Sequence, residues 1–490
     1  MKKSKTFRKL SSWICGRKRG KNREFVVITY SFLAVFLCLM GYFAYFQFVE
    51  SEQFINSPYN KRQEQFARAI LRGEIYSSDG ATLAETITDG EGNETRKYPY
   101  GRIFAHVVGY FDRGRTGIEA MANFSLLRSN LFYGERAINE FQGEKSPGDS
   151  VITTLDSNLQ MQAFDALGSY DGAVVVMEPA TGKILAMVSK PDFDPNTIGE
   201  DWETLIGGEN ESSVLLNRAT QGLYPPGSVF KLFTTLEYLH ENPDYEDYRY
   251  DCDGAYTQGN KTIHCYGNKS HGNQTLKEAF ANSCNAAYAS LGLTLDLQRF
   301  RMLCDDMLFN DPLPTGFESK QSSFVLAEGD STSTVMETSI GQGKTLVTPF
   351  HMALVTSAIA NGGILMTPYV IDHVADDNGN LVKQYEPKEY GMLLSENDAA
   401  ILQEYMRGVV ADGTARKLKS DRYAAAGKTG SAEFSSASDS SHSWFVGYAH
   451  QEGKPDIAVS VIVEDSGSGS EYAVPIAQKI FDAYYNSDRE

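Results

Sequence analysis

The longest hydrophobic feature of the chain comes first: Phe25 to Val49, between Glu24 and Glu50, carries no charge. At about 1.5 Å per residue, a helix of that length crosses a hydrocarbon core of roughly 30 Å. A signal-peptide core is shorter, about 7–15 residues, and ends at a small-residue cleavage site. Here the run continues through Gly41-Tyr42-Phe43-Ala44-Tyr45-Phe46, aromatic bulk suited to a membrane interface. The pattern predicts one uncleaved transmembrane signal anchor over 25–49, and no second charge-free run approaches its length. From 50 to 149 the chain is polar and mixed, with turn signals at Ser78-Asp79-Gly80, Asp89-Gly90-Glu91-Gly92-Asn93 and Asp112-Arg113-Gly114. The segments between them are too short for a large independent core and predict a pedestal. A second shift, at Gln142 to Asp149, opens a region from 150 to 490. Within it Leu159, Met161, Phe164 and Leu167 predict a helix over 157–167, capped by Asp156 or Ser157. Residues 172–177 and 184–188 read as strands joined by the turn Pro179-Ala180-Thr181-Gly182. After a mostly helical middle, 443–448 and 456–463 read as two more strands, and a closing helix spans about 474–485. Strands at both ends of one region, with helices between, predict an α+β domain whose sheet is completed by its termini.

Charge sharpens the topology. The chain of 490 residues has a formal net charge of −18, but residues 1–24 hold ten Lys and Arg against Glu24. That basic segment is +9, leaving −27 on the rest. Positive charge ahead of the span keeps the N-terminus in the cytoplasm, so everything from about Glu50 onward is predicted to be exported. Nucleic acid is excluded as a partner, because the larger part of the chain repels a polyanion. Hydrophobic residues at 42% and charged residues at 22% exclude wholesale disorder. Six cysteines exclude a disulfide-dense scaffold. Of these, Cys15 falls on the cytoplasmic side, Cys38 in the span, and Cys252, Cys265, Cys284 and Cys304 outside. A Cys252–Cys265 disulfide, a zinc site with Asp251, Asp253, His264 and His271 nearby, and free thiols all remain open. The spacing fits no standard zinc pattern, and no metal or other cofactor is expected.

The chemistry centres on a few short motifs. Histidine is sparse, and no Gly-x-Ser-x-Gly elbow occurs, so a Ser-His-Asp triad has no support. Pro225-Pro226-Gly227 is a helix-start signal, and the run that follows is helix-compatible to Leu239. Residues three apart share a helix face, which brings the Lys231 ammonium towards the Ser228 hydroxyl. A desolvated lysine can serve as the base that a serine nucleophile needs at neutral pH. Ser228 is the only serine in the chain with a lysine at i+3. Taken alone, the tetrapeptide equally describes an exposed lysine one turn after a capping serine. Two further motifs shift the balance. Lys428-Thr429-Gly430 occurs once, in a strand-like segment whose small residues allow close backbone approach to a substrate. Ser-x-Asn occurs twice. Ser395-Glu396-Asn397 reads as an ordinary helix cap. Ser283-Cys284-Asn285 lies in an apolar region, 276–293, expected to be helical, where buried polar side chains need partners.

Ser228-x-x-Lys231, Ser283-x-Asn285 and Lys428-Thr429-Gly430, in that order, resemble the signature of penicillin-binding proteins and serine β-lactamases. Arg72-Gly73-Glu74-Ile75, Asp79-Gly80 with Leu83-Ala84, and Gly114 through Gly117-Ile118-Glu119 resemble the pedestal motifs of class B penicillin-binding proteins. Gly172 to Asn196, Ile340-Gly341-Gln342-Gly343 with Thr348-Pro349, Gly413-Thr414-Ala415 and His442 to Gly447 resemble that family's transpeptidase domain. The likeness covers about 70–490, and the lean pedestal is similar to the penicillin-binding protein A subgroup. It implies a five-stranded antiparallel sheet with helices on both sides. It also implies a D,D-transpeptidase acting on peptidoglycan stem peptides and blocked by β-lactams. On that resemblance Ser228 is the acylated nucleophile, Lys231 its base, Ser283 a proton relay, and Asn285 a holder of the donor peptide. Lys428 and Thr429 meet the substrate carboxylate. Gly430 and Ser431 line the substrate, and the N–H groups of Ser228 and Ser431 form the oxyanion hole. The middle motif departs from the Ser-Asp-Asn of class A β-lactamases, and the Cys284 side chain is expected to face away from substrate.

The rival readings are a D,D-carboxypeptidase or β-lactamase, which need a route for water to the acyl-enzyme, and a non-enzymatic scaffold or β-lactam sensor. A catalytic region of this size on a pedestal and an anchor fits a polymer-crosslinking enzyme better, and 24 cytoplasmic residues are too few for a sensor's output domain. With no glycosyltransferase domain ahead of the pedestal, a SEDS-type glycosyltransferase is the expected partner, beside membrane lipid. The expected location is the bacterial cell membrane, with a single pass.

Overall fold

Valine and isoleucine runs that are apolar on both faces need cover on both sides, and the catalytic region is built around three of them. The computed structural model describes residues 23–46, 68–207, 213–433 and 441–486. Helix α1 (Ser157–Leu167) leads into strands β1 (Gly172–Met177) and β2 (Ile184–Lys190). Helices α2 (Lys231–Glu241), α3 (Leu276–Ala281), α4 (Asn285–Gly292), α5 (Pro349–Ala360) and α6 (Glu396–Ala411) follow. The chain then returns through β3 (Ala424–Glu433), β4 (Ser441–His450) and β5 (Ile457–Val463) to helix α7 (Ala473–Asn486). The five strands form one antiparallel sheet in the order β3-β4-β5-β1-β2, with Val461 opposite Val174 and Lys428 opposite Val446. The sheet is thus closed by the two ends of the region, as the pattern predicts. Every residue of β1, β2 and β5 is buried. Helices α1 and α7 pack on one face of the sheet, and α5 on the other. Strand β3 is an edge, which leaves half of its backbone groups free of the ladder.

Local chemistry sets the ends of these elements. Asp156 caps α1 by accepting from the Leu159 N–H at 2.9 Å, and Ser395 caps α6 in the same way at 3.1 Å. The second Ser-x-Asn is therefore the ordinary cap that its context indicates. The apolar region 276–293 is not one helix. It breaks into α3 and α4 at Asn282-Ser283-Cys284, where Ser283 takes φ 55° and Cys284 caps α4 by accepting from the Ala287 N–H. An apolar pattern cannot reveal a break whose residues stay buried or half-buried on both sides.

A second sheet, of six strands, runs 381–384, 371–375, 150–153, 75–76, 82–88 and 94–97 in spatial order. It joins the segment expected to be a pedestal to the catalytic region, with Val151 paired both to Val374 and to Ile75. Ile75, Leu83, Phe104 and Ile118 belong to the same buried cluster as the catalytic sheet, so the pedestal borrows a core that its own segments are too short to make. Residues 61–490 form one compact unit. The pedestal motifs have local reasons. Glu119 accepts from Arg72 Nε at 2.8 Å and Arg96 Nε at 2.7 Å, all three side chains being buried. Burial alone would raise the Glu119 carboxyl, but the two guanidinium groups override it and hold it below its ordinary value. Asp79 accepts from the Ser157 hydroxyl at 2.6 Å, tying a pedestal turn to the start of α1. A Cβ on Gly73 would sit 2.0 Å from the Asp149 carbonyl oxygen, so only glycine fits beside Arg72.

In the separate unit 1–60, helix Arg23–Tyr45 has a mean hydropathy of 2.1 over its most apolar window and is long and apolar enough to cross a membrane. It starts two residues before the charge-free run. The basic residues of 1–22 and the end of the run at 47–49 lie outside the described residues.

Removing the acid from the Arg72–Glu119–Arg96 cluster leaves two buried guanidinium groups uncompensated, which typically costs about 3–5 kcal/mol. Glu119→Gln is expected to lower the thermal midpoint clearly. Arg102→Ala, which removes a surface pair to Asp192 at 3.3 Å, should leave it unchanged within about 0.5 kcal/mol. Equal midpoints for the two variants in a thermal-shift measurement would refute this assignment.

Candidate active site

Val229 and Phe230 are fully buried, Phe230 against Phe233, Phe300, Phe309 and Phe324 with ring centroids 5.2–6.0 Å apart. That aromatic packing fixes a 3-10 turn, Gly227–Phe230, which leaves Ser228 half-buried at a cleft. The turn is held from two further sides. The Gly227 N–H donates to the Gly341 carbonyl at 2.8 Å, and a Cβ on Gly341 would meet the Gly227 oxygen at 1.9 Å. Trp444 Nε1 donates to the Pro225 carbonyl at 3.0 Å. Gly227 itself has φ 53°, and a Cβ there would lie 2.7 Å from the Ser431 carbonyl oxygen, so the Ser228 turn abuts strand β3.

Lys231 is the first residue of α2, one 3-10 turn after Ser228, and its side chain is completely buried. Side chains three apart eclipse on such a turn, as the spacing predicts. The ammonium is nevertheless engaged elsewhere: it donates to the Ser283 carbonyl at 2.8 Å, to Asn285 Oδ1 at 2.8 Å and to Ser283 Oγ at 3.3 Å. Among the described residues Ser228 Oγ donates no hydrogen bond, so the direct Ser228–Lys231 contact suggested by helical spacing is replaced by a junction on the Ser283–Asn285 turn. Burial lowers the Lys231 ammonium to about 8.

Lys428 reaches the same hydroxyl from the other side. Its Nζ donates to Ser283 Oγ at 2.8 Å and to the Thr429 carbonyl at 3.0 Å, and it too is completely buried. Burial, and then the nearby charge of Lys231, push this ammonium well below its ordinary value. Two amines on one hydroxyl form a continuous hydrogen-bonded path, Lys231–Ser283–Lys428, behind the cleft wall. The left-handed backbone of Ser283 presents its carbonyl oxygen and its hydroxyl to Lys231 together.

The cleft has a volume of about 720 Å³ and is lined by Ser228, Ser283, Asn285, Thr429, Gly430 and Ser431 among others. The structure thus gathers the three motifs in one place. Asn285 Nδ2 donates to the His264 carbonyl at 3.0 Å while its Oδ1 accepts from Lys231, so the amide orientation is fixed. Thr429 Oγ1 lies 2.5 Å from Thr414 Oγ1. A Cβ on Gly430 would meet Trp444 Cβ at 3.0 Å and Val229 Cγ1 at 3.1 Å, so β3 can lie this close to the Ser228 turn only with glycine there. Ser431 Oγ accepts from the Gly469 N–H at 3.3 Å. Cys284, between Ser283 and Asn285, is fully buried and does not line the cleft, as expected of it. Sequence reasoning left three contributors without roles: Thr414 beside Thr429, the 264–271 loop that holds Asn285, and Gly467–Ser470 opposite Ser431. Gly413-Thr414-Ala415 had marked the first by resemblance, while the other two carry no local signal.

Known proteins resemble the chain over most of its length. The profile of the penicillin binding protein transpeptidase domain matches residues 172–482, and that of the penicillin binding protein A dimerisation domain matches residues 72–151. The peptidoglycan D,D-transpeptidase PbpA of Mycolicibacterium smegmatis is 31% identical over 450 residues, covering 86% of this chain and 90% of the relative. The ceftriaxone acyl-enzyme of penicillin-binding protein A from M. tuberculosis superposes with a TM-score of 0.78 at 29% identity, covering 86% of this chain and 99% of that one. The D,D-transpeptidase domain of a peptidoglycan glycosyltransferase from Eggerthella lenta gives 0.76 at 29% identity, covering 85% and 98%. With three motifs converging on one cleft and a transpeptidase profile spanning more than half of its length, the chain belongs to the penicillin-binding protein transpeptidase family.

Proposed function

We propose that the protein is a membrane-anchored serine D,D-transpeptidase that cross-links peptidoglycan stem peptides through an acyl-enzyme on Ser228 and is inhibited by β-lactams. The observation that carries this reading is the convergence of Lys231 and Lys428 on Ser283 beside Ser228. In the first half-reaction Lys231, neutral in a useful fraction because burial lowers it, takes the Ser228 proton. Ser228 Oγ then attacks the carbonyl of the penultimate D-Ala. The N–H groups of Ser228 and Ser431 stabilise the oxyanion, a contribution typically worth about 10²–10³ in rate per donor. The proton passes through Ser283 to the nitrogen of the departing D-Ala. In the second half-reaction an acceptor amine attacks the ester, and its proton returns by the same path. Asn285 has one amide N–H committed to His264 and the other for the donor peptide. Thr429, backed by Thr414, meets the terminal carboxylate, with Lys428 setting the field behind it. Gly430 lets the peptide lie close along β3, whose edge position leaves backbone groups to pair with it.

The basic N-terminal segment supports a cytoplasmic N-terminus, an anchor over 25–49, and an extracytoplasmic pedestal and catalytic region (50–149 and 150–490) in a bacterial cell membrane. A SEDS-type glycosyltransferase contacting the anchor and pedestal would supply the glycan strands.

Two measurements test the chemistry. Supplied with a donor peptide ending in D-Ala-D-Ala and an amine acceptor, the full chain should release D-Ala and form the new amide. Ser228→Ala should lose at least about 10³-fold in that rate, whereas retention of activity would remove Ser228 from the mechanism. The acylation rate with fluorescent penicillin should rise about tenfold per pH unit up to about 8 and then level, because only the neutral Lys231 amine accepts a proton. A flat profile between pH 6 and 9 would contradict Lys231 as the base.

A further inference from the structure

One short helix of the pedestal is turned inside out. A surface helix ordinarily sets its apolar stripe against the core and its polar side in water. Helix Tyr133–Gln142 carries its apolar stripe at Gly134, Ala137, Ile138 and Phe141, the i, i+3, i+4, i+7 pattern of a single face. Ala137, Ile138 and Phe141 on that face are exposed, Ile138 at 56% and Phe141 at 93%. Phe132, just ahead of the helix, is 75% exposed, and its ring lies over Gly134, where a Cβ would meet Phe132 Cε1 at 3.2 Å. Phe132 and Phe141 are more exposed than the phenylalanines of the apolar helix Arg23–Tyr45, of which Phe32 at 73% is the highest. The opposite side of the helix is polar and faces the pedestal. Asn139 is half-buried, and Arg136 lines a cavity of about 340 Å³ with Ile70, Arg128 and Leu131. Single exposed hydrophobic residues are ordinary, but three large ones along one stripe mark an interaction surface.

We propose that this helix docks on the lipid bilayer, inserting Phe132, Ile138 and Phe141 into the headgroup layer. Three observations favour lipid over a protein partner. The first is place in the chain. Residues 50–69 alone join the charge-free run to Ile70, a contour of at most about 70 Å. The strand Ile70–Leu71, where the chain enters the pedestal, pairs in parallel with Ser146–Pro147, which closely follows the helix. The apolar face therefore stands beside the point where the chain arrives from the anchor. The second is charge. Residues 128–145 hold three basic and three acidic residues and are neutral, whereas 25–490 as a whole carry −27. Anionic lipid headgroups repel most of the exported part but not this face. The third is composition. Phenylalanine and isoleucine on one face, with charged residues on the other, are the pattern of an interfacial helix seated about 5–10 Å into the headgroup and acyl boundary. The stripe carries no hydrogen-bonding side chain by which a protein partner would be selected.

The consequence is mechanical. A folded region held by one span can swing about its point of attachment, and a second contact beside that point restrains the swing. Phe132, Ile138 and Phe141 do not line the cleft, so the contact acts on where the cleft is held and not on its chemistry. The docking rests on the membrane anchor proposed above, and the experiment separates the failure of one from the failure of the other.

The test uses the full chain in vesicles of phosphatidylethanolamine and phosphatidylglycerol. The photoreactive residue benzoylphenylalanine replaces Phe141 or, as a reference, Met302, an exposed side chain of the catalytic region. The same replacement of Ile138 repeats the measurement at a second position. Penicillin labelling at the level of the unaltered chain shows that each variant is folded. After illumination, mass spectrometry should find at least about tenfold more lipid adduct at 141 than at 302. Ile138→Asp in the same chain should lower the yield at 141 about tenfold, because a carboxylate on the stripe opposes insertion. Equal yields at 141 and 302, or adducts to a second copy of the chain in place of lipid, would overturn the docking and leave the anchor standing. A chain that does not float with the vesicles after an alkaline wash would overturn both.

Discussion

Two fully buried lysines meet at one serine hydroxyl, and the rest of the catalytic region is arranged around the cost of holding them there. A buried ammonium without partners is expensive, and two close together cannot both stay charged cheaply. The fold meets that cost with acceptors. The Ser283 carbonyl and Asn285 Oδ1 receive Lys231, the Thr429 carbonyl receives Lys428, and Ser283 Oγ serves both. What remains uncompensated appears as depressed basicity in both amines. A lysine at about 8 is neutral in a useful fraction near neutral pH, where an ordinary surface lysine is not.

Larger features of the fold follow from that junction. Lys428 comes from an edge strand, Lys231 from the start of a helix, and Ser283 from a break between two helices. Three elements distant in sequence must therefore be rigid relative to one another. The doubly covered sheet, the aromatic packing of Phe230 and Phe233, and the glycine contacts at 227, 341 and 430 supply that rigidity. The pedestal is part of the same framework, because its strands share a sheet with 150–153 and 371–375.

The strands and helices around the catalytic sheet were legible because apolar runs and caps are local: 157–167, 172–177 and the C-terminal pair lie where the pattern puts them. Ser228, Ser283, Asn285 and Lys428 were legible as motifs, since each sits in a short string whose residue types are unusual together. The break at Ser283 was not legible, because buried residues on both sides hide it from any hydrophobic period. Nor was the exchange of a Ser228–Lys231 contact for a Lys231–Ser283 one, which depends on a carbonyl 52 residues away. Sequence spacing left a site around Cys252, Cys265 and His271 open, but that Cys284 joins them was not legible, because tertiary packing and not spacing brings it there.

The central claim is that this junction makes Ser228, among the many serines of the chain, the one that forms an acyl-enzyme. Mass spectrometry of the full chain after exposure to penicillin tests it most directly. The account predicts a single penicilloyl adduct, mapped to the peptide that contains Ser228 and decaying slowly. An adduct on another residue, or rapid turnover of penicillin with no adduct, would contradict it.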